Sequence, residues 1–413
     1  MKAAWEFKAL EDMASFSNGL WTGKKSPLVT AKVIRNTNFR PNGALSLEDV
    51  AEIKVEAKQL EKRQLRFGDI VLEKSGGGPK QAVGRVIRFE IEDEGYSFSN
   101  FTSAIRVVRT DRLDYRYLHH VLNWWYASGV TEKIQSNSTG IRNLDLKAYK
   151  ALPIPLPPLD EQKRIVTILD ESFEALDRAR VNAEANFADA ADIYSSALNS
   201  LFTSTAIKPV RSLDSLIEIG HGFAFDGGDF EVSSDVSKPI VLTPGNYSES
   251  GELVFTAKNT KRLMVKPPAQ YILARGDLTV VMTDLSSKMK ILGKPAFVRR
   301  DDLLHNQRIG RVIPKDASVN LSYIYHFLNS NVARSHIIST ATGTMVRHTA
   351  PKRILALKIP YSEDGAQLER AVDRLDEIHE ESVNLSECYS RKISEISALR
   401  QSLLQKAFAG ELT

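Results

Sequence analysis

Cysteine is almost missing from this chain. Cys388 is the single one among 413 residues. No disulfide can form within the chain, and no thiolate metal cluster can be assembled. Long apolar runs are missing too: none approaches the ~20 residues that span a bilayer. The N-terminus lacks the basic, apolar and small-residue layout of a signal peptide. These absences fit a cytoplasmic protein. Catalytic motifs are equally scarce. A phosphate-cradling loop needs Gly-x4-Gly-Lys-Ser/Thr, which Gly76 to Gly84 does not supply. Lys266-Pro267-Pro268-Ala269 lacks the Asn or Asp with which amino-methyltransferases hold a target amine, and reads as a turn. Asp69, Glu73 and Lys74 form no repeated acidic cluster, because the other half of the chain has Asp277 but Val281 and Met282 at the similar places. They read as chance acids beside a strand, not as a nuclease metal site. His119-His120 reads as a helix-surface pair, with no clear acidic partner in sequence. No active site, metal site or cofactor is expected.

What is present is segregated charge. The formal net charge is +4, yet Leu159 to Phe202 carries −5 and Asp364 to Thr413 carries −4, which leaves +13 on the remainder. Basic globular parts joined by acidic helices suit a nucleic-acid binder with protein-binding spacers.

The chain also repeats itself at an offset of roughly 205 residues. Leu10-Glu11-Asp12-Met13 leads to Gly19 as Leu213-Asp214-Ser215-Leu216 leads to Gly222. Phe67-Gly68-Asp69-Ile70-Val71 resembles Arg275-Gly276-Asp277-Leu278-Thr279. Ala104 to Val108 resembles Ile309 to Ile313, Tyr117 to Asn123 resembles Ile324 to Asn329, and Ser138-Thr139-Gly140 resembles Ala341-Thr342-Gly343. Each match is weak, but chance does not preserve their order. The Gly-Asp pairs read as turns into buried strands at Ile70–Leu72 and Leu278–Met282. Ala104–Val108 and Ile309–Ile313 read as further strands. Leu113–Gly129 and Leu321–Ile338 carry helical spacing, with Tyr117, Val121, Trp124 and Trp125 on one side of the first.

Each half closes on a Pro-rich lead and a long helical run. Leu152-Pro153-Ile154-Pro155-Leu156-Pro157-Pro158-Leu159 cannot lie inside a helix or a central strand. It is a stiff extended lead into a helix, echoed by Leu357-Lys358-Ile359-Pro360. The runs that follow carry heptads. The first places Leu169, Phe173, Leu176, Arg180, Ala183, Phe187, Ala190, Tyr194, Ala197 and Leu201 on one stripe. The second places Leu368, Ala371, Leu375, Ile378, Ser382, Leu385, Tyr389, Lys392, Ile396, Leu399 and Leu403 on another. Each run is about 40 residues, on the order of 60 Å at 1.5 Å per residue. Such stripes are best covered by pairing with each other. An antiparallel pair would set the two globular parts at opposite ends.

These residues carry a resemblance. Pro155-Leu156-Pro157-Pro158-Leu159, followed by Glu161-Gln162 and Ile165, is similar to the signature of type I restriction–modification specificity subunits. The Gly68-Asp69-Ile70 start, the segment Gly140-Ile141-Arg142-Asn143-Leu144 and the tandem layout resemble that family over essentially the whole chain. The second copy departs from it: Tyr361-Ser362-Glu363-Asp364-Gly365-Ala366-Gln367 follows Pro360 without the Pro-Pro-Leu and Glu-Gln core. That puts the start and docking of the second helix in question. The resemblance implies an α+β fold, with two mixed α/β target recognition domains in tandem, separated by two long helices that form an antiparallel coiled coil. The expected spans are 1–158 and 206–362 for the domains, and 159–205 and 363–413 for the helices. It also implies a non-catalytic reader of a bipartite, asymmetric double-stranded DNA sequence. The helices would fix the spacer and hold two copies of the adenine-methylating modification subunit, which the restriction subunit joins. ATP hydrolysis would belong to another subunit.

Candidate DNA contacts lie in polar, basic loops. Lys74-Ser75-Gly76-Gly77-Gly78-Pro79-Lys80-Gln81 permits close approach of backbone N–H groups to phosphate, with Lys80 and Gln81 in reach of phosphate or base edges. Its counterpart keeps Lys288 and Lys290 without the triple glycine. Arg142 and Asn143 suit guanine and adenine edges, and Arg347 and His348 occupy the similar place. Lys24, Lys25, Arg35, Asn36 and Arg40 add a basic stretch. Most of these would position the duplex and few would specify bases. Two other classes stay open at this stage: a coiled-coil scaffold with non-DNA ligands, and a solitary nuclease or methyltransferase.

Overall fold

The computed structural model describes all residues except 1–4, 22, 24, 41, 79–80, 139, 205–206 and 413, and only the backbone of residue 138. Two compact units emerge, Met1–Glu184 with Ser390–Thr413, and Ala185–Tyr389.

In the first unit an antiparallel sheet orders Ala14–Asn18, Thr102–Val107, Asp69–Glu73 and Val86–Phe89. Every residue of Asp69–Glu73 is buried. The two-residue period of a strand explains the division of labour. Ile70 and Leu72 face the cluster built with Tyr117, Leu118 and Val121, while Val71 faces a second cluster with Phe89 and Phe98. A strand covered on both faces reads as an unbroken apolar run. A second sheet joins Ala51–Glu56, Leu28–Ile34 and Tyr96–Phe98.

The second unit repeats the plan. Its antiparallel sheet orders Ile217–His221, Ile309–Pro314, Leu278–Val281 and Pro295–Phe297. Leu278 and Val280 face the cluster holding Tyr323 and Phe327, and Val281 faces the opposite cluster with Leu242. The expected helix over 321–338 is two helices, Leu321–Asn329 and Asn331–Ser339. Ser330 breaks it: its backbone is extended and its hydroxyl accepts the N–H of Ala333. A serine side chain competes for local backbone groups and so favours such caps.

The Pro-rich leads are edge strands. Pro153–Leu156 pairs antiparallel with Glu6–Ala9, and Lys358–Pro360 with Val210–Ser212. An edge position tolerates the missing N–H groups of proline. The equivalence extends to single bonds. The Tyr117 hydroxyl donates to the Pro155 carbonyl at 3.1 Å, and that of Tyr323 to the Pro360 carbonyl at 3.0 Å.

The long helices span Leu159–Thr203 and Gly365–Phe408. In the second unit Ser382 donates to the Ala190 carbonyl at 2.6 Å, and Tyr194 lies against His379 at 4.4 Å. A forward step on one helix matches a backward step on the other, so the pair is antiparallel. In the first unit Arg400 lies 4.1 Å over the Phe173 ring and bonds Asp177 at 2.7 Å.

The heptad stripe is only partly internal. Leu169, Phe173, Tyr194 and Leu375 are buried, and Leu176, Leu201, Ile378 and Leu403 pack at the cluster margins. Tyr389 and Ile396 are half-buried. Phe187, Leu385 and Leu399 are exposed, as is Arg180, which pairs along its own helix with Glu184. Instead the helix ends bury residues off the stripe against the globular parts. Phe202 packs on Tyr323 and Phe327, and Phe408 on Tyr117 and Trp124. A straight helix drifts from a 3.5-residue repeat. A stripe extrapolated over twelve turns therefore misses the faces that the domains demand.

Candidate nucleic-acid interface

In the first unit, segments distant in sequence meet in one small sheet. Ser75–Gly76 pairs with Ile141–Leu144, which pairs with Gln135–Ser138. The register sets Arg142 opposite Gly76 and Asn143 opposite Ser75. The two loops singled out in sequence are thus one surface. Ser75 donates its hydroxyl to Asn143 Oδ1 at 2.6 Å. Asn36 donates to the Ser75 carbonyl at 2.8 Å, which ties in the Arg35 segment. Gly77 sits at φ +64, and a Cβ there would stand 2.6 Å from the Gln81 carbonyl oxygen. Only glycine closes this turn without strain.

Several candidate side chains are already engaged. Lys74 donates to Asn18 Oδ1 at 2.9 Å, and its partial burial lowers its pKa. Arg142 bonds Glu132 at 3.3 Å, and Arg35 bonds Asp49 at 3.3 Å. Lys25 is exposed, with its backbone N–H on Glu56. Gln81 is exposed beside the loop. Lys24 and Lys80 lie outside the described residues.

The sequence missed the brace beneath the loop. Glu73 is 1% exposed and receives the Arg85 guanidinium at 2.7 and 2.9 Å. Asp69, likewise buried, receives Arg106 at 2.6 Å through two nitrogens. Paired, hydrogen-bonded carboxylates of this kind are structural. Asp277 repeats the second pair with Arg311 at 2.9 Å. Among the described residues no group of acids, histidines and cysteine could hold a metal.

His119 and His120 are not the helix-surface pair expected from sequence: both rings are buried. His120 Nε2 meets Asp170 at 2.9 Å, and His326 Nε2 meets Asp376 at 3.0 Å. The acids stand fifty residues downstream, on the long helices, where no local pattern reveals them. Burial pushes both imidazole pKa values down, that of His326 to about 4. Burial alone would raise the Asp170 pKa, but the donors His120 and Arg88 hold it well below the usual carboxylate range. These pairs lock each globular part to its helix.

In the second unit Thr283–Asp284 pairs with Arg347–His348, with His348 opposite Thr283 and Arg347 opposite Asp284. His348 is exposed, with Nδ1 3.1 Å from the Thr283 hydroxyl, and Arg347 is half-buried. Lys288 is exposed, and Lys290 pairs with Glu249 at 2.6 Å. Among the described residues no helix is long and apolar enough to cross a membrane.

Residues 2–185 match the family described as Type I restriction modification DNA specificity domain. The chain is 26% identical over 290 residues to the type I restriction enzyme MjaVIII specificity subunit of Methanocaldococcus jannaschii, covering 63% of this chain and 64% of that protein, just under two thirds of its length. It is 24% identical over 417 residues to the EcoKI specificity subunit of Escherichia coli K12, covering 94% of this chain and 82% of that one. Among solved structures it is similar in fold to the HsdS subunit from Thermoanaerobacter tengcongensis, with a TM-score of 0.58 at 16% identity over 100% of this chain and 98% of that one. A chain from a structure on complex assembly and conformational transition of the type I R-M system gives a TM-score of 0.75 at 15% identity, over 100% and 99%.

Proposed function

We propose that this chain, which belongs to the type I restriction–modification specificity subunits, reads a bipartite and asymmetric DNA sequence and holds the subunits that act on it. The observation that carries the reading is the duplicated loop sheet. Ser75–Gly76 against Arg142–Asn143, and Thr283–Asp284 against Arg347–His348, occupy the same place on two copies of one scaffold: both keep an arginine, Arg142 and Arg347, while Gly76 gives way to Asp284 and Asn143 to His348. Different side chains at equivalent places read different bases. An asymmetric target follows, unlike the palindrome expected of a symmetric dimer. The target recognition domains are assigned to 1–158 and 206–362, and the spacer helices to 159–205 and 363–413.

Lys25, Arg35, Lys74, Ser75, Gly77, Gln81, Arg142 and Asn143 contact the first half-site, with Lys24 and Lys80 of the same loops. Lys288, Lys290, Arg347 and His348 contact the second. Two copies of the modification subunit dock on the helices and the restriction subunit joins them. Methyl transfer and ATP hydrolysis reside in those partners.

The test is binding of the assembled complex to duplex DNA across a salt series. Neutralised phosphates give a log–log slope of about −0.9 per contact. A steep slope with a selected sequence supports the reading. Binding that ignores salt, or that selects no sequence, overturns it.

A further inference from the structure

Beyond the paired strands Thr283–Asp284 and Arg347–His348, the second unit carries two braced loops. In the first, Asp284 accepts the backbone N–H groups of Ser286 at 2.7 Å and Ile291 at 3.1 Å. Arg334 reaches across from its helix and donates to the carbonyls of Met289 and Lys290 at 2.9 and 3.0 Å. Met289 stands at φ 50, the one non-glycine residue with positive φ among the described residues. Strain of this kind persists only where its surroundings over-determine it, and it clusters at functional sites. In the second loop Thr342 and His348 exchange both backbone hydrogen bonds at 2.9 Å. Gly343 turns the chain at φ +92, where a Cβ would stand 2.0 Å from the Val346 carbonyl oxygen.

Apolar side chains stand in solvent on both loops. Met345 is 81% exposed and Leu285 is 60% exposed. Leu285 follows Asp284 and Val346 precedes Arg347, so Leu285 and the Met345–Val346 turn leave the paired strands at the same end. These side chains are held outward by closed, hydrogen-bonded turns. Their flanks are cationic or polar: Lys288, His348 and Lys352 are exposed, and Arg347 is half-buried. An apolar tip between cations matches a DNA groove, where phosphates line the rim and thymine presents a 5-methyl group. The first unit repeats the motif, since Ile141 is exposed between Gly140 and the Arg142–Asn143 pair.

We propose that Met345 and Leu285 read thymine in the second half-site through apolar contact with its 5-methyl group. This rests on the DNA-reading function above and adds to it specificity-determining residues that donate no hydrogen bond.

The experiment uses the full chain assembled with its modification subunit, on the duplex that this complex selects from a randomised pool. Each thymine of the second half-site is replaced in turn by deoxyuridine, which removes one methyl and leaves the pairing edge intact. At one position the unaltered complex loses affinity about four-fold, the value of one buried methyl-sized group. Met345→Ala or Leu285→Ala then binds thymine and uracil equally there, while the first half-site keeps its full discrimination. Both side chains are exposed, so neither variant threatens the fold, and an unchanged melting curve verifies this. Indifference to deoxyuridine throughout the second half-site overturns the proposal, as does sensitivity that survives in both variants. A complex that selects a bipartite target without methyl sensitivity refutes this inference alone. A complex that selects no target refutes the DNA reading as well.

Discussion

Gln162 holds Asp114. Its side-chain Oε1 accepts the Asp114 backbone N–H at 2.9 Å, while Nε2 donates to the carbonyls of Arg112 and Pro157, each at 2.8 Å. The side chain is fully buried, and it ties the Arg112–Asp114 segment to Pro157 at the point where the Pro-rich lead becomes a helix. In the second half the backbone N–H of Asn320 goes to the Tyr361 hydroxyl at 2.9 Å instead. The signature glutamine and the tyrosine that stands in its region perform one task. The second helix starts without the signature because a different side chain meets the same unsatisfied donor.

Gln162→Ala therefore strands a buried N–H and two carbonyls, a loss of about 2–4 kcal/mol. Tyr361→Phe removes one hydroxyl and costs about 1–2 kcal/mol. Urea denaturation of the full chain measures both. A midpoint shift in Gln162→Ala no larger than that of an exposed-site control would remove Gln162 from this role.

The two phenylalanines of the first helix part company. Phe173 is buried beneath Arg400, and Phe187 is 41% exposed. Phe173→Glu removes a buried ring and sets a second carboxylate in competition with Asp177 for Arg400, which destabilises by about 3–5 kcal/mol. Phe187→Glu stays within about 1 kcal/mol of the parent chain, and its effect falls on binding of the modification subunit. Thermal melts and co-purification separate the two outcomes. Equal destabilisation by both would contradict the burial pattern.

Stability depends on pH through the buried histidines. The folded pKa of His326 is about 4, below the unfolded value of 6.5, because burial disfavours its charge. The unfolded chain binds the extra proton between these values, so stability is full above pH 6.5 and falls as pH drops towards 4. The loss from this one ring is on the order of 3 kcal/mol. His119 and His120 shift in the same direction, again first through burial. Denaturation midpoints across this window measure the slope, and His326→Gln should flatten it. A slope unchanged by that variant would show that the ring is not the titrating group.

Loop changes should act on one half-site at a time. Gly77→Ala forces a Cβ towards the Gln81 carbonyl at φ +64, so it distorts only the first loop. Discrimination drops about ten-fold or more in the first half-site, given ~1–3 kcal/mol per base contact. Competition binding with duplexes altered in either half reads this directly. Equal loss in both halves would argue against two independent readers.

Much of this architecture is written locally. The Gly68-Asp69 and Gly276-Asp277 turns precede strands whose apolar runs announce burial on both faces. The repeat order announced two similar units, and the proline density marked an extended lead at Leu152–Leu159, though not its pairing as an edge strand. What stayed hidden depends on partners far away in sequence. Asp170 answers His120, Arg400 answers Asp177, and Tyr194 answers His326. Exposure of Phe187 and Leu385 was hidden for the same reason, since a heptad states a stripe and not what covers it. In the candidate interface, residue types were legible, but the pairing of Ser75–Gly76 with Arg142–Asn143 was not.

Two different readers on one chain would leave a distinctive methylation pattern. The most direct measurement is the methylation map laid down by this chain with its modification subunit, before and after Arg347 and His348 are both replaced by alanine. Two readers give an asymmetric target of two parts around an unread spacer, with the variant altered or relaxed in one part only. A palindromic or continuous target, or a variant that changes both parts together, would contradict it.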